Sequence, residues 1–109
     1  MFNLERLIMY KSKKWERKRN YILKRDGFIC QEAKRYGLLE EATQVHHIYP
    51  VDEYPELAFE NWNLVSLTQM NHNRMHDRNT REITSLGKRW QRRRRKEFNA
   101  RQKNKTTST

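Results

Sequence analysis

Cysteine is nearly absent from the 109-residue sequence: Cys30 stands alone, so no disulfide can form within the chain. That usage suits a reducing compartment. Long apolar runs are missing as well. Nothing approaches the roughly 20 consecutive apolar residues of a membrane-spanning helix, and Met1–Tyr10 holds no apolar stretch of secretory-signal length. The expectation is a cytoplasmic protein with no membrane partner. Core formers are scarce too, at 35%, against roughly 45–50% in an average soluble domain. Such a chain can build one compact domain with a modest core and a loose end.

Acid is the remaining shortage: 13 Asp and Glu face 24 Lys and Arg, a formal net charge of +11. The excess is unevenly placed. Residues 88–109 hold ten bases against the single acid Glu97, whereas residues 1–87 are nearly balanced. Inside that larger part, Lys11–Arg25 and Arg74–Arg81 are the basic stretches. Charge of this size speaks to partners rather than to fold, and a polyanion is the natural one. Solubility alone does not require the run Arg92, Arg93, Arg94, Arg95, Lys96.

Local patterns set the expected elements. Residues 1–10 form one turn or stay loose. Ser12 suits the N-cap of a helix over Lys13–Arg25, with Trp15, Ile22 and Leu23 at i, i+7 and i+8 on one face. Asp26 and Gly27 end it. Phe28–Cys30 is a strand fragment or packing knuckle, and a short helix closed at Gly37 is one reading of residues 31–42. Thr43–Ile48 suits a strand stopped by Pro50. A loop with a short helix near Glu56–Glu60 follows, then a second strand over Asn63–Thr68. A helix is expected over Gln69–Asn79, and another starting near Thr80 is weakened by Gly87. Asn99–Thr109 is expected as a flexible tail. Trp15, Phe28, Ile48, Trp62, Leu64, Val65 and Leu67 are the expected core.

All four histidines fall between residues 46 and 76. His46 and His47 are adjacent on a predicted strand, which sends them to opposite faces. One can then bind a metal while the other points at substrate. His72 and His76, four apart on a predicted helix, share a face at a spacing that grips one ion. Imidazole is a common ligand for transition metals, and its near-neutral pKa also suits a general base. Phosphodiester hydrolysis needs both parts: charge neutralisation by a metal, and removal of a proton from the attacking water. A base needs its other ring nitrogen held by an acceptor, and the amide oxygen of Asn63 on the neighbouring strand is placed for that.

Five segments carry a resemblance to a known family. They are YKSKKW at Tyr10–Trp15, LKRDGFICQ at Leu23–Gln31, VHHIYP at Val45–Pro50, NLVSL at Asn63–Leu67 and NHNRMH at Asn71–His76. The chain resembles the HNH endonucleases, particularly the short stand-alone proteins of bacteriophages, from about Tyr10 to Arg78. The resemblance implies an α+β, ββα-metal (His-Me finger) fold with an N-terminal helix and a basic C-terminal helix or tail. The nuclease domain would span residues 1–87, with its motif core at 43–78, and residues 88–109 would be a basic, partly disordered tail. It implies His47 as general base, Asn63 as the residue that orients it, and His46, His72 and His76 as ligands of one divalent metal. With His46 where many members carry Asp, an all-imidazole site tilts preference from Mg²⁺ toward Mn²⁺, Ni²⁺, Co²⁺ or Zn²⁺, though Mg²⁺ still suits the open positions. Many members also hold a structural zinc on two Cys pairs. Here Cys30 stands at the first position, but Ala33, Thr68 and Asn71 stand at the others, so no structural zinc is expected.

The substrate implied is DNA, double-stranded and read with low sequence specificity. Lys13, Lys14, Arg17, Arg74, Arg78, Arg92, Arg93, Arg94 and Arg95 are the expected phosphate contacts. The resemblance further suggests a phage-encoded enzyme acting in the host cytoplasm beside the packaging machinery, with terminase or another packaging protein as a partner. Two other readings remain open: a non-catalytic nucleic-acid-binding accessory protein, and a metal-binding adaptor that docks through its arginine-rich tail.

Overall fold

The computed structural model describes residues 3–107. The chain divides into two compact units, the first ending at Asn73 and the second beginning at Arg74.

The first unit opens with α1 (Leu4–Lys11), a full helix where a turn or a loose segment was expected. Its start is well capped: Asn3 accepts the Arg6 N–H at 3.1 Å, and Glu5 lies in the first turn. No residue of α1 is buried. Ser12 then serves two helices. Its hydroxyl donates to the Met9 carbonyl at 2.6 Å, closing α1, and accepts from the Trp15 N–H at 3.1 Å, opening α2 (Lys13–Arg25). The expected stripe is the buried one, Trp15, Ile22 and Leu23. With Ala42, Val45 and Leu64 these residues make a core cluster, against which Met9 and Phe59 pack.

The turn after α2 departs from expectation. Gly27 and Phe28 both take left-handed backbone angles, φ 64° and 59°. Two such residues in succession turn the Phe28 side chain outward, and it is 50% exposed rather than part of the core. Ile29 bridges to Glu41. The short α3 (Gln31–Lys34) lies between them, followed by Gly37 at φ 75°.

β1 (Gln44–His47) and β2 (Leu64–Leu67) pair antiparallel, with Val45 opposite Ser66, His46 opposite Val65 and His47 opposite Leu64. Alternation puts Val45, His47 and Leu64 on the face that α2 covers, and His46 and Val65 on the other. All four residues of β2 are buried. The end of α2 secures this hairpin through charge. Asp26 accepts the Ser66 N–H at 3.0 Å, while Arg25 donates to the carbonyls of Leu64 and Asn61 at 2.7 and 2.8 Å. Backbone groups of β2 and its approach are thereby satisfied. The long connection between the strands carries two 3₁₀ turns, Pro55–Leu57 and Asn61–Asn63. Trp62, expected in the core, is half-buried with its ring edge-on to Tyr49 at 6.1 Å.

α4 (Gln69–Asn73) follows β2 and touches both strands, completing the ββα arrangement. It is shorter than expected. Beyond it, Asp77 accepts the N–H groups of Asn79 and Thr80, each at 2.8 Å, an Asx-type turn that competes with helix. His76 instead pairs with Ile83 in an isolated bridge. His72 and His76 therefore do not ride one helix face, and the i, i+4 argument for a shared grip fails.

The second unit continues with α5 (Ser85–Arg93), capped by Thr84 accepting the Gly87 N–H at 3.2 Å, and α6 (Arg95–Thr107). Helix replaces the flexible tail expected from Asn99. The segment has neither Gly nor Pro, and Ala100, Arg101, Gln102, Lys103 and Lys105 are good helix formers. Ser108 and Thr109 lie outside the described residues. Leu86, Met75 and Trp90 are buried. No described helix is long and apolar enough to cross a membrane.

Candidate active site

His47 sits at the end of β1 and is only 5% exposed. One ring nitrogen, Nε2, lies 3.0 Å from the Ala58 carbonyl oxygen. A carbonyl can only accept, so Nε2 carries the proton. In the neutral ring Nδ1 is then an acceptor, and the Tyr10 hydroxyl donates to it at 3.0 Å. Trp15 stacks on the imidazole, with centroids 5.0 Å apart and planes within 23°. Burial pushes the His47 pKa down to about 4. The Ala58 bond opposes that shift, and the charges of Arg6 and His72 add to it. At neutral pH the ring is thus an uncharged proton acceptor. The Tyr10 phenol is pushed up by burial, against the influence of Arg6, and stays protonated.

His46 faces the opposite side of the strand and meets His72, with ring centroids 5.2 Å apart and planes at 72°. Nδ1 of His72 is buried, and among the described residues no hydrogen bond reaches that one atom. Two neighbouring imidazoles between strand and helix fit a borderline-soft divalent cation. His76, the third expected ligand, is half-buried in the second unit. Among the described residues no group of three or more His, Cys, Asp or Glu side chains is gathered as a metal cage. The first unit supplies an open pair.

Asn63 is fully buried, and its carboxamide is committed to the inter-strand loop. Its Oδ1 accepts the Tyr49 N–H at 2.7 Å, while Nδ2 donates to the carbonyls of Tyr49 and Leu57, each at 3.1 Å. The expected bond from Asn63 to His47 is not what holds the ring. Ala58 does, and Asn63 fixes the residue immediately before Ala58. A main-chain acceptor leaves no trace in side-chain identity, which is why the sequence could not supply it. Tyr10 and Trp15 were also unassigned to the site, although both lie in the YKSKKW segment.

The positions that would carry zinc thiols do converge. Asn71 donates to the Cys30 sulfur at 3.3 Å, the Cys30 thiol lies 3.9 Å from the Thr68 hydroxyl, and that hydroxyl accepts the Asn71 N–H at 3.1 Å. Burial alone would raise the Cys30 pKa. Hydrogen bonds from the backbone at Ala33 and Thr68, and from the Asn71 and Thr68 side chains, outweigh it and bring the thiol below its ordinary value.

Of the expected DNA contacts, Lys13, Lys14 and Arg17 are exposed on α2, and Lys14 also stands 4.1 Å from the centre of the Phe59 ring. In the second unit Arg74, Arg78, Arg92 and Arg95 are exposed. Arg93 and Arg94 lie over the buried Trp90 ring, 4.8 and 5.6 Å from its centre. Trp90 is therefore a packing residue.

A two-stranded antiparallel hairpin followed by a short helix, with paired histidines where strand meets helix, defines a ββα-metal protein. The structure is similar to the crystal structure of the HNH endonuclease of the deep-sea thermophilic bacteriophage GVE2, which was solved with a manganese ion. The TM-score is 0.63 and the identity 33%, over 64% of this chain and 76% of that one. Neither a protein-family model nor a curated protein matches the sequence. The chain belongs to the HNH endonuclease family.

Proposed function

We propose that the protein is a metal-dependent endonuclease that hydrolyses DNA phosphodiester bonds. The observation that carries this reading is the state of His47: buried, neutral, and proton-bearing on Nε2 because Ala58 accepts there. That leaves Nδ1 as the atom that takes the proton of an attacking water. Trp15 keeps the ring plane fixed during the transfer. Asn63 acts at one remove, holding the loop that presents the Ala58 carbonyl.

His46 and His72 would hold one divalent ion, with His76 assigned as a further ligand on the motif alone. When bound, such an ion neutralises charge on the phosphate and on the departing oxygen. Manganese, nickel and zinc suit these imidazoles, and magnesium remains compatible with the positions left to water and phosphate. The GVE2 protein's manganese supports a divalent metal of this kind. Lys13, Lys14, Arg17, Arg74, Arg78, Arg92 and Arg95 meet phosphates along a duplex, with little sequence preference. Arg93 and Arg94 are held on Trp90 and contribute mainly through their charge. By the family resemblance, the setting is phage DNA packaging in the host cytoplasm, with terminase or another packaging protein as the partner.

The test is conversion of supercoiled plasmid in Mn²⁺, Ni²⁺, Zn²⁺ or Mg²⁺ by the wild type and by His47→Ala. Loss of a general base slows cleavage by roughly 10²–10⁴-fold. Equal conversion by the two proteins removes His47 from the role. Binding without cleavage in every metal leaves the DNA-binding accessory as the function.

A further inference from the structure

We propose that Tyr10 is a removable cap on the base: α1 holds its phenol over His47 in the DNA-free protein, and DNA displaces it. The inference rests on the reading of His47 as general base. An imine nitrogen has one lone pair in the ring plane and takes one donor. At Nδ1 of His47 that donor is the Tyr10 hydroxyl, 3.0 Å away. Nε2 is committed to Ala58, Trp15 lies across the ring, and little of the residue is open to solvent. No water can donate to Nδ1 while Tyr10 stays in place.

The element that carries Tyr10 is anchored at its C-terminal end, where Met9 packs against the core cluster and the Tyr10 ring lies edge-on to Trp15 at 5.3 Å, and is lightly held before that. None of the residues of α1 is buried. Among the described residues its N-terminal part is fastened to the carboxylate of Asp52, which lies 3.7 Å from Arg6 Nε and 3.4 Å from Asn3 Nδ2. The Arg6 and Asp52 side chains are 45% and 56% exposed, so the pair is worth little and is screened by salt. Arg6 also stands 5.4 Å from the centre of the Tyr10 ring. The same guanidinium therefore links the carboxylate to the cap. A DNA phosphate is a better partner for it than a solvated carboxylate, because an Arg fork binds phosphate oxygens bidentately and the duplex presents many of them. Substrate that draws Arg6 away from Asp52 loosens Tyr10 at the same moment. Tyr10 is itself 36% exposed, so its ring has solvent to turn into.

The cap has a chemical consequence that mere packing does not. With α1 closed, the base cannot deprotonate water near stray phosphates. Cleavage competence then depends on a contact that only a polyanion makes.

The experiment uses the whole chain and Tyr10→Phe, which keeps the ring and removes the donor. In metal-free, DNA-free protein, long-range ¹H–¹⁵N spectra report the His47 tautomer and the state of Nδ1. The expected result is a downfield move of the Nδ1 resonance in Tyr10→Phe with Nε2 unchanged. An unmoved Nδ1 resonance overturns the cap. In metal-loaded cleavage at limiting DNA, kcat/KM rises by roughly two- to tenfold, the equilibrium worth of one net hydrogen bond. Asp52→Ala, which frees Arg6, raises it in the same direction by a smaller factor. Unchanged or slower cleavage by Tyr10→Phe also overturns the cap, and a slower rate means that the phenol instead passes the proton. Should His47→Ala cleave as well as wild type, the assignment of the base fails, yet the nitrogen spectra still decide whether Tyr10 occupies Nδ1.

Discussion

Three contacts hold His47, and each removes a different freedom. Trp15 sets the plane of the ring, Ala58 sets which nitrogen bears the proton, and Tyr10 occupies the nitrogen left over. Because burial favours the uncharged ring, the same residue links folding to acidity. Unfolded His47 takes up a proton near its ordinary pKa of 6.5, whereas the folded ring resists until about 4. The unfolded state therefore binds more protons between those values, and stability falls as pH falls. Its full contribution is present above pH 6.5, about 3 kcal/mol is lost on the way to pH 4, and the curve flattens below. Arg6 and His72, whose charges act on the ring, press in the same direction. Urea titrations of metal-free wild type and His47→Asn across pH 4–8 measure it, since only the wild type carries this slope. Parallel curves would show that the ring is freely protonated in the fold. At this scale the sequence was informative about side chains and silent about their supports. The histidine pairs were visible because imidazole is rare and chemically distinctive. Ala58 was invisible because its contribution is a carbonyl that every residue owns.

Among the elements, α2 and the hairpin were legible while the chain after β2 was not. Trp15, Ile22 and Leu23 recur at helical spacing behind a serine cap, and local order of that kind survives folding unchanged. The expected helix over Gln69–Asn79 had the right composition, but Asp77 captured two amides and His76 found a bridge with Ile83. Tertiary and turn contacts outweighed propensity there. Gly87 shows the converse. It looked like a defect in a helix, and on propensity alone Gly87→Ala should gain about 1 kcal/mol. In the fold, a Cβ at that position would sit 2.5 Å from Cγ1 of Ile83 and 2.7 Å from the Met75 carbonyl oxygen. The side chain can yield, but the backbone oxygen cannot move without breaking its bond from the Thr84 N–H. Overpacking then wins, and Gly87→Ala is expected to lose about 1–3 kcal/mol net in a urea or thermal melt. A variant as stable as wild type would mean that α5 does not approach Met75 this closely.

For the whole molecule, the governing quantity is a net charge of +11 distributed over both units. Affinity for a duplex built from phosphate contacts must collapse with salt, because each neutralised phosphate releases counterions. The contribution of α6 can be isolated. Removing residues 95–109 deletes five Lys and Arg and one Glu, and none of the site histidines. The plot of log affinity against log salt should become shallower by about 0.9 for each deleted base that meets a phosphate. Cleavage at low salt should persist, since the His47 clamp and the His46–His72 pair belong to the first unit. Fluorescence anisotropy on a labelled duplex between roughly 50 and 200 mM salt gives the slope over the range where such binding changes most. An unaltered slope would mean that α6 faces something other than DNA. Capture of a packaging protein by the whole chain and not by the truncated one, with duplex affinity intact, would then assign the helix to protein docking. The two outcomes separate because counterion release belongs to contact with a polyelectrolyte, and a protein partner of ordinary charge density does not reproduce it.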